Sequence, residues 1–215
     1  MRVAIYMPMD DIDVEADTTS REIVRRRRIL QAGKHYFAHN GYDATSLADI
    51  AQAIDMPYAE FTHYFDHKLD LLLAVFDDGW SSINHRFTDI VIDSPRARDA
   101  MLALLLAMMR ILERDPELAR LLLFEGRRPL PGSGEIRFSK GYQKFMELCT
   151  ELAARGQRDG SLRKGHPSRL LAAMLVGGAE NLLRDRVLMK QETGKVPYSD
   201  QVIVSVFDAL LTSLH

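Results

Sequence analysis

Between Thr45 and Lys68 the chain reads TSLADIAQAIDMPYAEFTHYFDHK. These residue types suit contact with an anionic polymer better than bond-breaking chemistry. Thr45 or Ser46 caps a short helix, and Ser46-x-x-Asp49 has the spacing of a capping box. Pro57 suits the first turn of the next helix, where a missing N–H costs nothing. Thr45 and Lys68 stand at helix N-termini, where orphan N–H groups and the macrodipole favour an anion, and the lysine adds a point charge for phosphate. Phe61 and Phe65 are one turn apart and anchor the second short helix, which leaves Tyr58, Ala59, Glu60, Thr62 and His63 outside. Such a helix-turn-helix presents a probe of the right width for the DNA major groove. Glu60 could accept from a cytosine amino group, and His63 is best used as a DNA contact. Arg25 to Arg28 form the most basic run. Four consecutive residues circle the helix, so about two can face a phosphate backbone at once. Arg25 and Arg28 are the pair expected there.

Other reactive residues carry less. His35/His39 and His63/His67 have the i,i+4 spacing that could hold a metal, but the sequence fixes no third ligand, so no metal and no cofactor are expected. Cys149, the single cysteine, lies among Leu148 and Leu152 and reads as a buried, inert thiol. Asp77 and Asp78 are adjacent on a helix and diverge. Gly132-Ser133-Gly134 lacks the spacing of a nucleophile elbow, and no phosphate-binding loop or dinucleotide fingerprint occurs. No enzyme is expected.

The elements that must position these residues are helical nearly throughout. β-branched residues are sparse and alternating runs are absent. The expected helices are 21–40, 46–53, 57–64, 67–92, 97–113, 116–125, 135–158, 167–190 and 198–214, about nine in all, separated by Gly41, Pro57, Pro95, Pro116, the PLPGSG run, Gly160, Pro167 and Pro197. Ile29, Leu30, Gly33, Tyr36 and Phe37 form one stripe of the first helix, and Gly41 follows where a left-handed cap is expected. The fold class is all-α: a three-helix N-terminal module on a C-terminal helical bundle. Residues 1–20 form an acidic extension of charge −4, residues 21–68 the helix-turn-helix domain, and residues 69–215 the body. The acidic extension reads as a mobile tail; the alternative is that it docks on Arg25–Arg28 and competes with DNA.

In combination, Ile29, Phe37, Gly41-Tyr42, Thr45, Ile50-Ala51, Met56, Phe61, Tyr64-Phe65, Lys68 and Leu71-Leu72 resemble the TetR family of bacterial transcriptional regulators, over roughly residues 24–72. The resemblance implies a homodimer that binds a palindromic operator on double-stranded DNA and is released by a small effector. It places Thr45, Tyr64 and Lys68 at phosphates and Tyr58, Ala59 and Glu60 at base edges. With Arg25, Arg28, Ser46, Pro57 and His63 these make the expected DNA-contacting set. Asp55 stands where the family usually has Gly, Pro57 where it often has a capping Ser, and Thr62 where an aromatic is common.

In the body, Trp80, Asn84, Met101, Leu105, Met108, Phe124, Phe145, Met174 and Asn181 are the candidate lining of an effector cavity, suited to a mostly apolar ligand with one polar group. Gly177 and Gly178 inside a helix cost roughly 1 kcal/mol each relative to Ala, so another helix should approach them. By the family's arrangement, Leu171, Leu175, Gly178, Leu182, Phe207 and Leu210 are expected in a four-helix dimer interface.

Bulk properties fit. The chain has 215 residues, 47% of them hydrophobic, and a net charge of −2. The single thiol suits a reducing cytoplasm, and no apolar run reaches spanning length. The expected function is a cytoplasmic, ligand-responsive repressor without membrane association. The rival is a member of the same fold that has lost sequence-specific DNA binding and serves as a protein-interaction or lipid-binding module.

Overall fold

Caps and breakers end most elements where the sequence puts them. The computed structural model describes residues 10–126 and 136–213, with backbone alone for residues 10–19. The helices are α1 (Asp10–Ala44), α2 (Leu47–Ala53), α3 (Tyr58–Thr62), α4 (Lys68–Asp93), α5 (Ala97–Arg114), α6 (Pro116–Arg120) continuing into a π-helical turn (Leu121–Glu125), α7 (Lys140–Asp159), α8 (Ser168–Thr193) and α9 (Asp200–Ser213). Ser46 caps α2 by accepting from the Asp49 N–H, and Asp115 caps α6 from the Leu118 N–H with Pro116 at its first position. Among the described residues no helix is long and apolar enough to cross a membrane.

Several boundaries differ from expectation; α7 begins at Lys140, residues 136–139 being non-helical, and α8 runs on to Thr193. α1 begins at Asp10 rather than 21, and its stretch before Ser20 has no apolar stripe to announce it. The tail and docking readings of residues 1–9, and of the acidic side chains of residues 10–19, lie outside the described residues, as do the Gly132-Ser133-Gly134 stretch and the expected helix start at 135. Gly41 does not form a left-handed cap. Its φ of 77° and ψ of 169° belong to a region that only glycine enters readily, so the long helix breaks at Gly41, where the sequence puts its end, and a short helical turn follows to Ala44. The third helix is shorter than expected, and Pro57 precedes it as its N-cap.

The core is continuous from the module into the body. Ile29, Leu30 and Phe37 of α1 bury against Leu47, Ile50, Ala51, Phe61 and Phe65, and Leu71, Leu72 and Val75 of α4 carry the same cluster onward. α1 packs on α4, α6 and the π-helical turn. Gly141 at the start of α7 meets α4 so closely that a Cβ there would lie 2.3 Å from Trp80 Cβ. The Asp77 carboxylate accepts the Gly141 N–H at 2.8 Å, and Asn84 donates to the Gly141 carbonyl at 2.9 Å.

The expected dimer residues divide between inside and outside. Leu171, Leu175 and Phe207 are buried in this chain's own core, and Leu182 is half-buried. Gly178 and Leu210 are exposed, alongside Leu170, Met174, Val202 and Val206 on the same two helices. The outward faces of α8 and α9 thus lie about one residue from the expected register.

Candidate functional site

The helix-turn-helix is built from short-range bonds and two aromatic anchors. The Asp55 N–H donates to the Gln52 carbonyl at 3.1 Å and the Met56 N–H to Ala51 at 3.0 Å. Asp55 sits at φ 49°, the one left-handed non-glycine residue described, which aspartate tolerates better than most. Phe61 is fully buried and Phe65 nearly so. Rotation about these anchors turns Pro57, Tyr58, Ala59 and His63 to solvent.

Glu60 is half-buried, and Arg25 Nη1 lies 3.1 Å from its Oε1. Arg28 donates to the Ile54 carbonyl at 2.9 Å, and the Arg26 guanidinium stands 5.5 Å above the Phe65 ring. The basic run therefore lies against the turn and the outward helix. Pairing with Arg25 offsets the negative charge of Glu60 and holds a guanidinium at the edge of the reading face.

Two expected phosphate contacts are spent internally. Thr45 is 2% exposed, and its hydroxyl donates to the Gly41 carbonyl at 2.7 Å. Lys68 Nζ donates to the carbonyls of Tyr42 at 2.7 Å, Thr45 at 2.8 Å and Asp43 at 3.3 Å, and lies 4.4 Å from the Tyr42 ring centroid. An ammonium has three donors, so all are engaged. Both residues close the end of α1 where the chain turns into α2. Ser46 is exposed and Tyr64 half-buried, packed against the core.

In the body lies an apolar cavity of about 100 Å³. Trp80, Met101, Leu105, Met108 and Phe145 line it as expected, with Phe87, Leu104, Leu112 and Leu183. Asn84, Phe124, Met174 and Asn181 do not. Asn84 turns to Gly141, and the other three are exposed on the surface. Leu122 and Leu123 of the π-helical turn, Cys149, Glu180 and the expected dimer residues Leu175 and Phe207 also line it. Glu180 is the one charged residue of that lining. Burial, and secondarily Glu180, pushes the Cys149 thiol up to about 12, which keeps it protonated and inert.

Module and body meet at α1 and α6. Lys34 pairs with Asp115 at 2.7 Å. Glu117 Oε1 lies 2.7 Å from His35 Nδ1 and 3.6 Å from His39 Nδ1. The i,i+4 histidines visible in the sequence thus acquire a third donor from α6, 82 residues away along the chain.

Comparison with known proteins places these features. Residues 29–75 match the family model for bacterial regulatory proteins of the tetR family. The fatty acid metabolism regulator protein of Bacillus subtilis (strain 168) is 23% identical over 194 residues, spanning 87% of this chain and 94% of that protein. The HTH-type transcriptional repressor DhaR of Mycobacterium sp. (strain GP1) is 24% identical over 192 residues, 87% of this chain and 93% of that protein. Among solved structures, the transcriptional regulator FadR from Bacillus subtilis in complex with stearoyl-CoA superposes with a TM-score of 0.76 at 19% identity, covering 88% of this chain and 98% of that one.

Proposed function

As a member of the TetR family of bacterial regulatory proteins this chain is a DNA-binding transcriptional regulator, and we propose that it is a homodimeric repressor released from a palindromic operator by a long acyl chain carried on coenzyme A. The apolar cavity carries the reading. Its wall is largely apolar and Glu180 is its one charged residue, which suits an alkyl chain and repels an anion at that point. Each methylene buried there contributes about 0.8 kcal/mol, so chain length sets affinity. The relative solved with stearoyl-CoA and the relative named for fatty acid metabolism agree with that class.

The route from cavity to DNA is short. Leu122 and Leu123 belong to the π-helical turn that continues α6, and α6 packs on α1. An acyl chain that pushes on the turn would tilt α1 and with it α3. It releases DNA only to the extent that it binds the tilted arrangement better.

The test is a gel shift with DNA upstream of the chain's own gene, titrated with stearoyl-CoA, a short-chain acyl-CoA and free coenzyme A. Release by stearoyl-CoA alone is expected. Leu105→Trp, which fills the cavity, should still bind DNA and no longer release it. Equal release by free coenzyme A, or none by any acyl-CoA, would overturn the effector assignment.

A further inference from the structure

We propose that His35, His39 and Glu117 form a binding site for a divalent late transition metal of the Zn2+ class, which clamps the helix-turn-helix module to the body. Each residue offers a ligand atom within 4.8 Å of the others. Metal–ligand bonds of about 2.0–2.1 Å in a tetrahedral shell hold donors roughly 3.3–3.5 Å apart, so small side-chain rotations close the set. His35 Nδ1 already stands 2.7 Å from Glu117 Oε1.

The surroundings favour ligation. His39 Nδ1 lies 2.9 Å from the His35 carbonyl. Donation there leaves the lone pair on Nε2 and orients the ring, the role that outer-shell carbonyls play at metal-bound histidines. Both histidines are exposed, so water can complete the coordination shell. Two imidazoles and one carboxylate select Zn2+, Co2+, Ni2+ or Cu2+ over Mg2+ and Ca2+, which take all-oxygen shells. Lys34 opposes the site, with Nζ 3.9 Å from Glu117, but Asp115 holds that ammonium at 2.7 Å and offsets its charge.

The position gives the site a consequence. Two ligands stand on α1 and the third in the first turn of α6. The cavity touches this joint from the other side, through the turn that follows α6. A bound ion would fix the angle between module and body, and by linkage any change it makes in operator affinity is matched by an equal change in metal affinity.

Untagged full-length protein would be titrated with Zn2+ against a chromogenic chelator, with Co2+ as a spectroscopic probe. One ion per chain, a tetrahedral Co2+ spectrum and a Zn2+-dependent rise in Tm are expected. His39→Ala and Glu117→Gln should each weaken Zn2+ at least 10-fold and abolish the rise in Tm, whereas His166→Ala should not. Metal-free melting curves check that the variants fold, and Glu117→Gln keeps the shape of a half-exposed side chain. Absence of stoichiometric Zn2+ binding, or binding unchanged in both variants, would overturn the site.

Discussion

At the scale of single residues, Lys68 and Glu60 depart furthest from a generic DNA-reading surface. The three carbonyls held by Lys68 end α1 and set the entry into α2. Charge-assisted hydrogen bonds contribute about 1.5–3 kcal/mol. Lys68→Met should therefore lower Tm by roughly 5 °C while leaving the salt dependence of DNA affinity unchanged. A phosphate-binding lysine would instead reduce that slope by about 0.9. Glu60→Gln tests the other departure. It releases Arg25 from its 3.1 Å pair and removes a negative charge beside the phosphates. Non-specific affinity at low salt should rise several-fold, with a steeper slope, because a freed guanidinium can neutralise a further phosphate. Unchanged affinity in a filter-binding assay across salt concentrations would show that the pair does not gate DNA contact.

Elements are held by a few close approaches, and these are open to test. Asp159, at the end of α7, accepts the Ala97 N–H at 2.7 Å, which opens α5, and the Ser161 N–H at 2.9 Å. Partial burial alone would raise its carboxyl, but the Ser161 hydroxyl, the two N–H groups and Arg96 outweigh that and hold it below the usual carboxylate value. A depressed folded value stabilises the protein at pH above the ordinary value near 4, and the gain disappears as pH falls through the folded one. Asp159→Asn should thus lower Tm by a few degrees at pH 7, with the gap to wild type closing below about pH 4. A gap constant down to pH 3 would remove the charge from the explanation. Gly141→Ala is the steric counterpart. Its Cβ would sit 2.3 Å from Trp80 Cβ, so α7 must shift off α4 at a cost of about 1–3 kcal/mol, read as a fall in Tm.

Most elements were legible because caps and apolar stripes are local. Ser46, Pro116, Phe61 and Phe65 act as their spacing implies. Features that depend on distant residues were not. The cavity's Leu122, Leu123 and Glu180 come from a π-helical turn and from α8, and no periodicity announces which of their faces is hollow. Glu117 completes a donor set begun at His35, and only the packing of α6 on α1 makes it visible. α8 misled for a different reason. Leu170 and Leu171, then Met174 and Leu175, give it two apolar stripes side by side, and sequence alone does not tell the inward one from the outward one.

For the whole molecule, that second stripe is the argument for a dimer. Leu170, Met174 (58% exposed), Val202, Val206 (56% exposed) and Leu210 leave apolar surface in solvent on α8 and α9. Among the described residues a Cβ on Gly177 or Gly178 would meet nothing within 4 Å, so none of them supplies the close neighbour that two helix-interior glycines call for. In the proposed homodimer a second copy would supply it, an isologous two-fold contact setting α8 and α9 against their own images as a four-helix bundle. The proposed dimer would have to set its two copies of α3 about 34–36 Å apart to enter successive major grooves. Met174→Glu with Val206→Glu puts carboxylates on both faces without touching the core or the cavity, so the helical circular dichroism of wild type should persist. Sedimentation should then show a monomer, and operator affinity should fall at least 100-fold, because the second half-site is no longer bound as an intramolecular event. Gly178→Leu should act the same way through bulk alone, since none of the described residues opposes the side chain. Dimers that survive both changes would move the interface to another face, and a monomer that still protects a full palindrome would separate DNA reading from dimerisation altogether.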